Sequence, residues 1–178
     1  NTYMNSDYYP SLNSSAEHLA KMVDYLEKTD IYYRDVQLKN IDRHFDMLLR
    51  STNVPGLESG NMELLGKFYC EVKEELQASI KNDCEYWFPM LRKAIDKDGG
   101  QLRCLNTTEI DNNIPLPFRN KNLEDKIKDL ISFFIIHLKG DYNHNLCLAV
   151  VSAIFALDKD VCQNNRIRER IFRPLCEA

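Results

Sequence analysis

Apolar residues recur every three or four positions along four long stretches of the sequence, and this pattern constrains the fold more than any other feature. In the first stretch they include Leu19, Met22, Val23 and Leu26, and the spacing continues to Leu49. Such spacing places apolar side chains on one face of an α-helix. Only 6 glycines and 6 prolines occur in 178 residues, which favours long helices over many turns.

Three further stretches repeat this pattern, over residues 62–95, 123–138 and 146–175. Four amphipathic helices joined by one short, one medium and one long connection predict an all-α fold, the antiparallel up-down-up-down four-helix bundle. We expect residues 14–178 to form this domain. Residues 1–13, which are polar and rich in tyrosine, are expected to form a lead-in segment.

The helices are expected to be interrupted at defined places. A break or kink is predicted near Thr29–Asp30 and a kink at Pro89, because proline inside a helix costs about 3 kcal/mol. Loops are predicted at residues 51–60 and 101–120. The second loop contains apolar residues that are expected to pack it against the bundle: Leu102, Leu105, Ile114, Leu116 and Phe118. A loop of that length in a compact domain is often functional.

Composition is that of a soluble globular protein, with 44% apolar and 28% charged residues. The longest apolar run, Leu130 to Leu138, is too short to span a bilayer, so no membrane partner is expected. The net charge of −4 gives this segment no electrostatic footprint for nucleic acid. These features predict a cytoplasmic protein.

Cysteine spacing argues against a zinc site. The 6 cysteines are Cys70, Cys84, Cys104, Cys147, Cys162 and Cys176, and no two of them form a C-x-x-C pair. A chain of this length can build a core without a disulfide framework. We expect reduced thiols, most of them buried.

One pattern occurs twice, over residues 79–91 and 164–175. Each copy is a polar helical segment that ends in an aromatic residue, a proline and a leucine. The positions ten and six residues before each proline are Ser79, Asp83, Asn164 and Arg168. Each pair has the i, i+4 spacing that puts both side chains on one helix face. Two metal ligands on one helix would have this spacing, but they would be His and Glu.

Four stretches together resemble hemerythrin-like cation-binding domains. They are Leu26–Ile41, Ile80–Leu91, Asn122–Leu138 and Asn164–Leu175. The likeness covers most of the chain from about Ser14 onward. It is closest to the branch associated with repair of iron centres and to the N-terminal domains of LuxR-type transcriptional regulators from Bacteroidetes. The resemblance implies a four-helix bundle around a di-iron centre held by histidines and by H-x-x-x-E pairs.

The ligand positions implied by the resemblance carry other residue types here. They fall on Asp30, Ser79, Asp83, Asn120, Asn164 and Arg168. Every expected histidine is therefore absent, and Arg168 stands where a carboxylate is expected. Iron requires deprotonated or neutral donors, and a guanidinium offers no lone pair. We therefore expect no metal. Asp30, Asp83 and Arg168 are expected either to form a buried ion-pair network or to be ordinary exposed helix charges.

No catalytic arrangement is visible in the sequence. It has no glycine-rich phosphate loop, no nucleophile elbow and no H-E-x-x-H motif, so we predict no enzyme and no cofactor. Trp87 and Phe88 are expected in the core. The acidic pairs Glu74–Glu75 and Glu124–Asp125 are expected on solvated faces. The four histidines lie away from the implied ligand positions and are expected in turns or facing solvent.

Two functions follow from the resemblance. The first is a regulatory or sensory input domain of a transcriptional regulator, followed beyond Ala178 by a helix-turn-helix domain that contacts DNA. Such a domain would respond to a small ligand or partner, or would form a homodimer. The alternative is a metal-binding hemerythrin-like protein that uses iron in oxygen, nitric oxide or iron-centre repair chemistry.

Overall fold

The computed structural model describes residues 16–51, 59–97, 111–117, 120–137 and 144–171. Six α-helices are present in these ranges: α1 (Ala16–Tyr32), α2 (Leu38–Ser51), α3 (Ser59–Asn82), α4 (Phe88–Lys97), α5 (Lys121–His137) and α6 (His144–Ile171). No strand occurs among the described residues. The predicted all-α fold class is confirmed, and the four amphipathic stretches of the sequence correspond to α1–α2, α3–α4, α5 and α6.

Two π-helical turns link consecutive helices. The first π turn, Tyr33–Gln37, joins α1 to α2, and the second π turn, Asp83–Trp87, joins α3 to α4. In both, the residue after the turn donates its backbone N–H to the carbonyl five residues earlier. The flanking residues keep right-handed helical dihedral angles, so each pair of helices forms one continuous helical segment. Single π turns inside α-helices are rare and frequently occur at functional sites.

The two predicted kinks are displaced from their expected positions. Thr29 and Asp30 lie inside α1, where Thr29 Oγ1 donates a hydrogen bond to the backbone oxygen of Tyr25 at 2.9 Å. The irregular turn begins later, at Tyr33. The helix also continues through Pro89, which is the second residue of α4, and the second π turn ends at Trp87, two residues earlier. Proline cannot donate an N–H and crowds the carbonyl four residues earlier, and a widened turn before it accommodates both effects.

The loop boundaries also differ from the prediction. Ser51 ends α2, and α3 begins at Ser59, so Ser51, Ser59 and Gly60 of the predicted loop belong to helices. Residues 52–58 of that loop are not among the described residues. Within the long connection, Leu116 is exposed instead of packed. The other apolar residues expected to anchor that connection are half-buried (Ile114) or lie outside the described residues. The lead-in segment lies outside them as well.

The chain divides into two compact units. Unit 1 draws its described residues from Asn1–Asp30, Ser79–Asn120 and Gln163–Ala178. Its core contains residues of α1, α4 and α6, namely Leu19, Met22, Val23, Leu26, Phe88, Leu91, Ile95 and Ile167. Trp87, at the end of the second π turn, is fully buried, so the predicted core positions of Trp87 and Phe88 are confirmed.

Unit 2 draws its described residues from Ile31–Ala78 and Lys121–Cys162. Aromatic rings fill much of its core: Phe45 stacks on Tyr69 with ring centroids 4.3 Å apart and meets Phe134 edge-on at 5.9 Å. Such pairs contribute about 0.5–1.5 kcal/mol beyond the area they bury. The Tyr69 hydroxyl donates to Asp42 Oδ1 at 2.5 Å, which satisfies the polar end of this buried cluster.

Helix directions can be read within each unit. In unit 1, Arg92 of α4 forms ion pairs with Asp24 and Glu27 of α1. Asp83, earlier in that segment, shares Arg168 with Asp30, later in α1, so α1 and the segment that contains α4 run antiparallel. In unit 2, Phe68 meets Phe133, and Glu75 pairs with Lys126. Helices α3 and α5 are therefore antiparallel, as an up-and-down bundle requires.

Several side chains are exposed or buried against expectation. Of the four cysteines described, Cys70 is exposed and Cys84, Cys147 and Cys162 are half-buried, so the expectation that most are buried is wrong for these four. None of the four forms a disulfide with another described residue. Glu124, expected on a solvated face, is 3% exposed. Among the described residues, no helix combines the length and the apolar character that crossing a membrane requires.

Candidate functional site

Four of the six positions singled out in the sequence come together in unit 1. Asp30, Asp83, Asn164 and Arg168 are each 2–6% exposed, and we call them the Arg168 cluster. Arg168 Nη2 lies 2.7 Å from Asp83 Oδ2, and 3.3 Å from Asp30 Oδ1. Of the two expectations, a buried ion-pair network or exposed helix charges, the structure confirms the first.

Local helix geometry explains how these side chains converge. Asn164 and Arg168 are one turn apart on α6, and Arg168 Nε donates to Asn164 Oδ1 at 2.5 Å. This bond fixes the guanidinium so that Nη2 faces the two carboxylates. Asp30 lies in the last turn of α1, and Asp83 is the first residue of the second π turn. The cluster therefore connects three helical elements of unit 1 through one guanidinium.

The surroundings of the cluster are apolar. The guanidinium carbon of Arg168 lies 5.9 Å from the centre of the Phe88 ring, within the range of a cation–π contact. Phe88 belongs to the core of unit 1. Because water is excluded, the ion pairs are screened little, and each charge depends on its partners for solvation. Asn164 Nδ2 is buried without an acceptor among the described residues, so the polar groups of the cluster are incompletely satisfied.

Burial raises the pKa of the Asp30 carboxyl from its ordinary value near 4 to about 8. Arg168 opposes this rise by favouring the ionised form, whereas the neighbouring carboxylate of Asp83 adds to it. Two ionised carboxylates next to one guanidinium carry a net charge of −1, which is unfavourable in an apolar site. A proton on Asp30 removes that excess, so the cluster is neutral when Asp30 is protonated and Asp83 pairs with Arg168.

The other two positions lie beside the cluster. Ser79 is half-buried on α3, one turn before Asp83. Asn120 is also half-buried, and its backbone oxygen accepts a hydrogen bond from Asn165 Nδ2 at 3.5 Å. Asn165 follows Asn164 on α6, so Asn120 approaches the same part of that helix. All six sequence positions therefore lie in unit 1, and four of them are in direct contact.

The residues present do not fit a di-iron centre. The guanidinium of Arg168 lies between the carboxylates of Asp30 and Asp83, so a cation already fills the place that a metal ion would take between them. Over the described ranges, no group of three or more His, Cys, Asp or Glu side chains is positioned to hold a metal ion. His18 lies in the first turn of α1, as predicted, and is half-buried. His44 is half-buried and not solvent-facing, and the side chains of His137 and His144 lie outside the described residues.

A second feature, in unit 2, was not anticipated from the sequence. Residues of the first π turn, α2 and α6 line an open cleft of about 510 Å³, which we call the Gln37 cleft. Gln37 is 8% exposed and lies at the end of the π turn. The sequence offered one signal for this cleft, which is that Gln37 occupies a buried position of an amphipathic pattern. The opposite wall of the cleft comes from α6, far along the chain, so local sequence could not predict it.

Comparison with known proteins gave no match, whether with protein-family models, with curated proteins or with solved structures. The resemblance to hemerythrin-like domains and to LuxR-type regulators therefore stays a prediction from the residues. The observed geometry supplies the remaining evidence on function.

Proposed function

We propose that this chain is a metal-free regulatory domain, the sensory input part of a transcriptional regulator. The observation that carries this proposal is the Arg168 cluster. It places a guanidinium and two carboxylates, with a third polar side chain, at positions where the family resemblance implies iron ligands. Such a cluster cannot supply the open coordination positions that oxygen or nitric oxide chemistry requires.

A buried charge cluster suits a regulatory role for an energetic reason. Moving one partner away leaves the others charged in an apolar environment, which costs several kcal/mol. The contacts among α1, the second π turn and α6 are therefore either all kept or all lost, which favours discrete arrangements over gradual deformation. Regulation requires two such arrangements and a ligand that favours one of them.

The proposal assigns DNA contact to a separate domain of the regulator. A net charge of −4 gives this chain no attraction to phosphates, so the chain itself acts as input. The proposed setting is the cytoplasm, and the proposed assembly is a homodimer, which regulators of this kind use to read paired DNA half-sites.

The test is genome-wide mapping of DNA bound by the complete gene product, expressed from its own promoter with a small epitope tag. The proposal expects enriched promoter fragments, and altered transcription of the adjacent genes when the gene is deleted. A matched strain expressing only these 178 residues should show no enrichment. Absence of enrichment for the complete product would contradict the role in transcription.

A further inference from the structure

The Gln37 cleft has the dimensions of a small-molecule site. Its volume of about 510 Å³ lies within the range of about 300–1,000 Å³ that ligand pockets occupy. One wall is formed by the first π turn and α2, and the facing wall by Ala153 and Ala156 of α6. Since the cleft adjoins a π turn, it also has the type of local helix irregularity that is frequent at functional sites.

The apolar lining is accessible. Tyr32 and Val36, at the rim of the cleft, are 49% and 50% exposed, which is high for residues of their type. Ala153 and Ala156 have small side chains, so the facing wall leaves room between the helices. This combination suits a flat apolar body, such as an aromatic ring, lying between Val36 and the two alanines.

The charged lining favours an anion. Lys39 and Arg43 lie one turn apart on α2, and no ion pair joins either of them to a carboxylate in the described ranges. Arg43 Nη2 donates to Asn40 Oδ1 at 2.9 Å, which orients the guanidinium. Asp35 also lines the cleft, but its carboxylate is paired with Arg34 at 2.9 Å. Lys39 lies near enough to Asp35 to add to the effect of Arg34 in lowering the pKa of that carboxyl. The lining still carries two positive charges, Lys39 and Arg43, and one negative charge, Asp35, so it favours an anionic ligand.

A buried acceptor supplies a second polar contact. Gln37 Nε2 faces Asp160 Oδ2 at 3.5 Å, which fixes the orientation of the amide. The opposite atom, Gln37 Oε1, is buried and accepts no hydrogen bond from any described residue. A buried acceptor without a donor is unfavourable, so a ligand that brings an N–H or O–H group to this wall gains by supplying one.

We propose that the Gln37 cleft binds a small aromatic carboxylate that also carries an N–H or O–H group. Lys39 and Arg43 hold the acid group, Tyr32, Val36 and the α6 wall contact the ring, and Gln37 accepts the hydrogen bond. This names the ligand class for the regulatory role proposed above. The ligand's effect on regulation rests on the proposed function, whereas its binding to the cleft is measured directly.

The experiment titrates the 178-residue chain with indole-3-acetate, 4-hydroxyphenylacetate and benzoate, and with the neutral amide of each, and follows backbone amide shifts by NMR. We expect saturable shifts in the first π turn, in α2 and around Ala153 for at least one acid that carries a donor. The corresponding amide should bind at least tenfold more weakly. Arg43→Gln and Lys39→Gln should each weaken binding of that acid about fivefold or more, because each removes a charge-assisted contact.

The matched control is Arg50→Gln, which removes an exposed charge of α2 outside the cleft and should leave the affinity unchanged. Ala153→Phe should abolish binding by filling the cleft, while the circular dichroism spectrum stays that of the unmodified chain. Equal affinities for acid and amide would overturn the proposal, as would unchanged affinity in the Lys39 and Arg43 variants or the absence of saturable shifts with every acid. DNA association of the complete gene product is measured separately, so the two failures are distinguishable.

Discussion

Arg168 Nη2 lies 2.7 Å from Asp83 Oδ2, so that α6 and the second π turn meet through a buried ion pair. The same nitrogen lies 3.3 Å from Asp30 Oδ1, which adds α1 to the contact. One guanidinium thus serves two carboxylates in an apolar environment. The arrangement predicts that the loss of Arg168 is more damaging than the loss of the whole cluster.

Arg168→Met tests the first part of this statement. The substitution retains apolar volume but leaves the Asp83 carboxylate buried without a cation, beside an Asp30 that is mostly protonated at pH 7. Breaking a buried pair in this way costs about 3–5 kcal/mol. We expect the free energy of unfolding, measured with urea at pH 7, to fall by that amount. The control Arg166→Met removes an exposed arginine from the same helix and should change stability by less than about 0.5 kcal/mol.

The triple variant Asp30→Asn, Asp83→Asn and Arg168→Met tests the second part. It removes all the charges of the cluster, so no ion remains without a partner, and replacement of a whole buried pair is often nearly neutral. We expect the triple variant to recover at least half of the stability lost in Arg168→Met. A triple variant less stable than the single one would show that the ion pairs themselves hold unit 1 together.

The pH dependence of stability follows from Asp30. Its folded-state pKa of about 8 exceeds the ordinary carboxyl value, so the folded chain binds this proton more tightly than the unfolded chain does. The resulting contribution is fully present below pH 4 and is lost as the pH rises to about 8, by at most about 1.4 kcal/mol per pH unit.

Asp30→Asn should remove this loss. Urea denaturation between pH 4 and pH 8 should therefore give a flatter curve for Asp30→Asn than for the unmodified chain. Asp129→Asn, on the exposed face of α5, is the matched control and should keep the original slope. Parallel curves for Asp30→Asn and the unmodified chain would contradict the assignment of the proton to Asp30.

Two aromatic side chains tether residues 111–117 of the long connection. Trp87 Nε1 donates to the backbone oxygen of Pro115 at 2.8 Å, and Tyr86 Oη accepts from the backbone N–H of Asp111 at 2.7 Å. Tyr86→Phe removes the second bond, whose net worth is about 0.5–1.5 kcal/mol. Hydrogen exchange at the Asp111 amide should accelerate about two- to tenfold, whereas Tyr32→Phe, an exposed tyrosine of unit 2, should leave that rate unchanged.

The helices were predictable because amphipathic periodicity records which face of a segment is buried. Leu19, Met22, Val23 and Leu26 follow the pattern and are all buried. The π turns were not predicted, because one wider turn shifts the apolar spacing by only a single residue, which is within the ordinary variation of an amphipathic pattern. A break was predicted near Thr29–Asp30, but both residues lie inside α1, and Asp30 is buried next to Arg168.

The candidate site was predictable in its positions but not in its pairing. Counting back from each proline located Asp83, Asn164 and Arg168, because a repeated helix face imposes a repeated spacing. Their burial was not predictable, since a charged residue on a helix has the same sequence signature whether it meets solvent or a partner far along the chain. Glu124 shows the same limit, because it was expected to be solvated but is buried.

The iron content of the complete gene product tests the central claim most directly. The protein is purified after expression in iron-supplemented medium, and its metals are measured by inductively coupled plasma mass spectrometry alongside its visible absorption spectrum. Because Arg168 fills the place between Asp30 and Asp83, we expect far less than one iron per chain and no charge-transfer band. Two irons per chain with such a band would contradict the account and favour the metal-binding alternative.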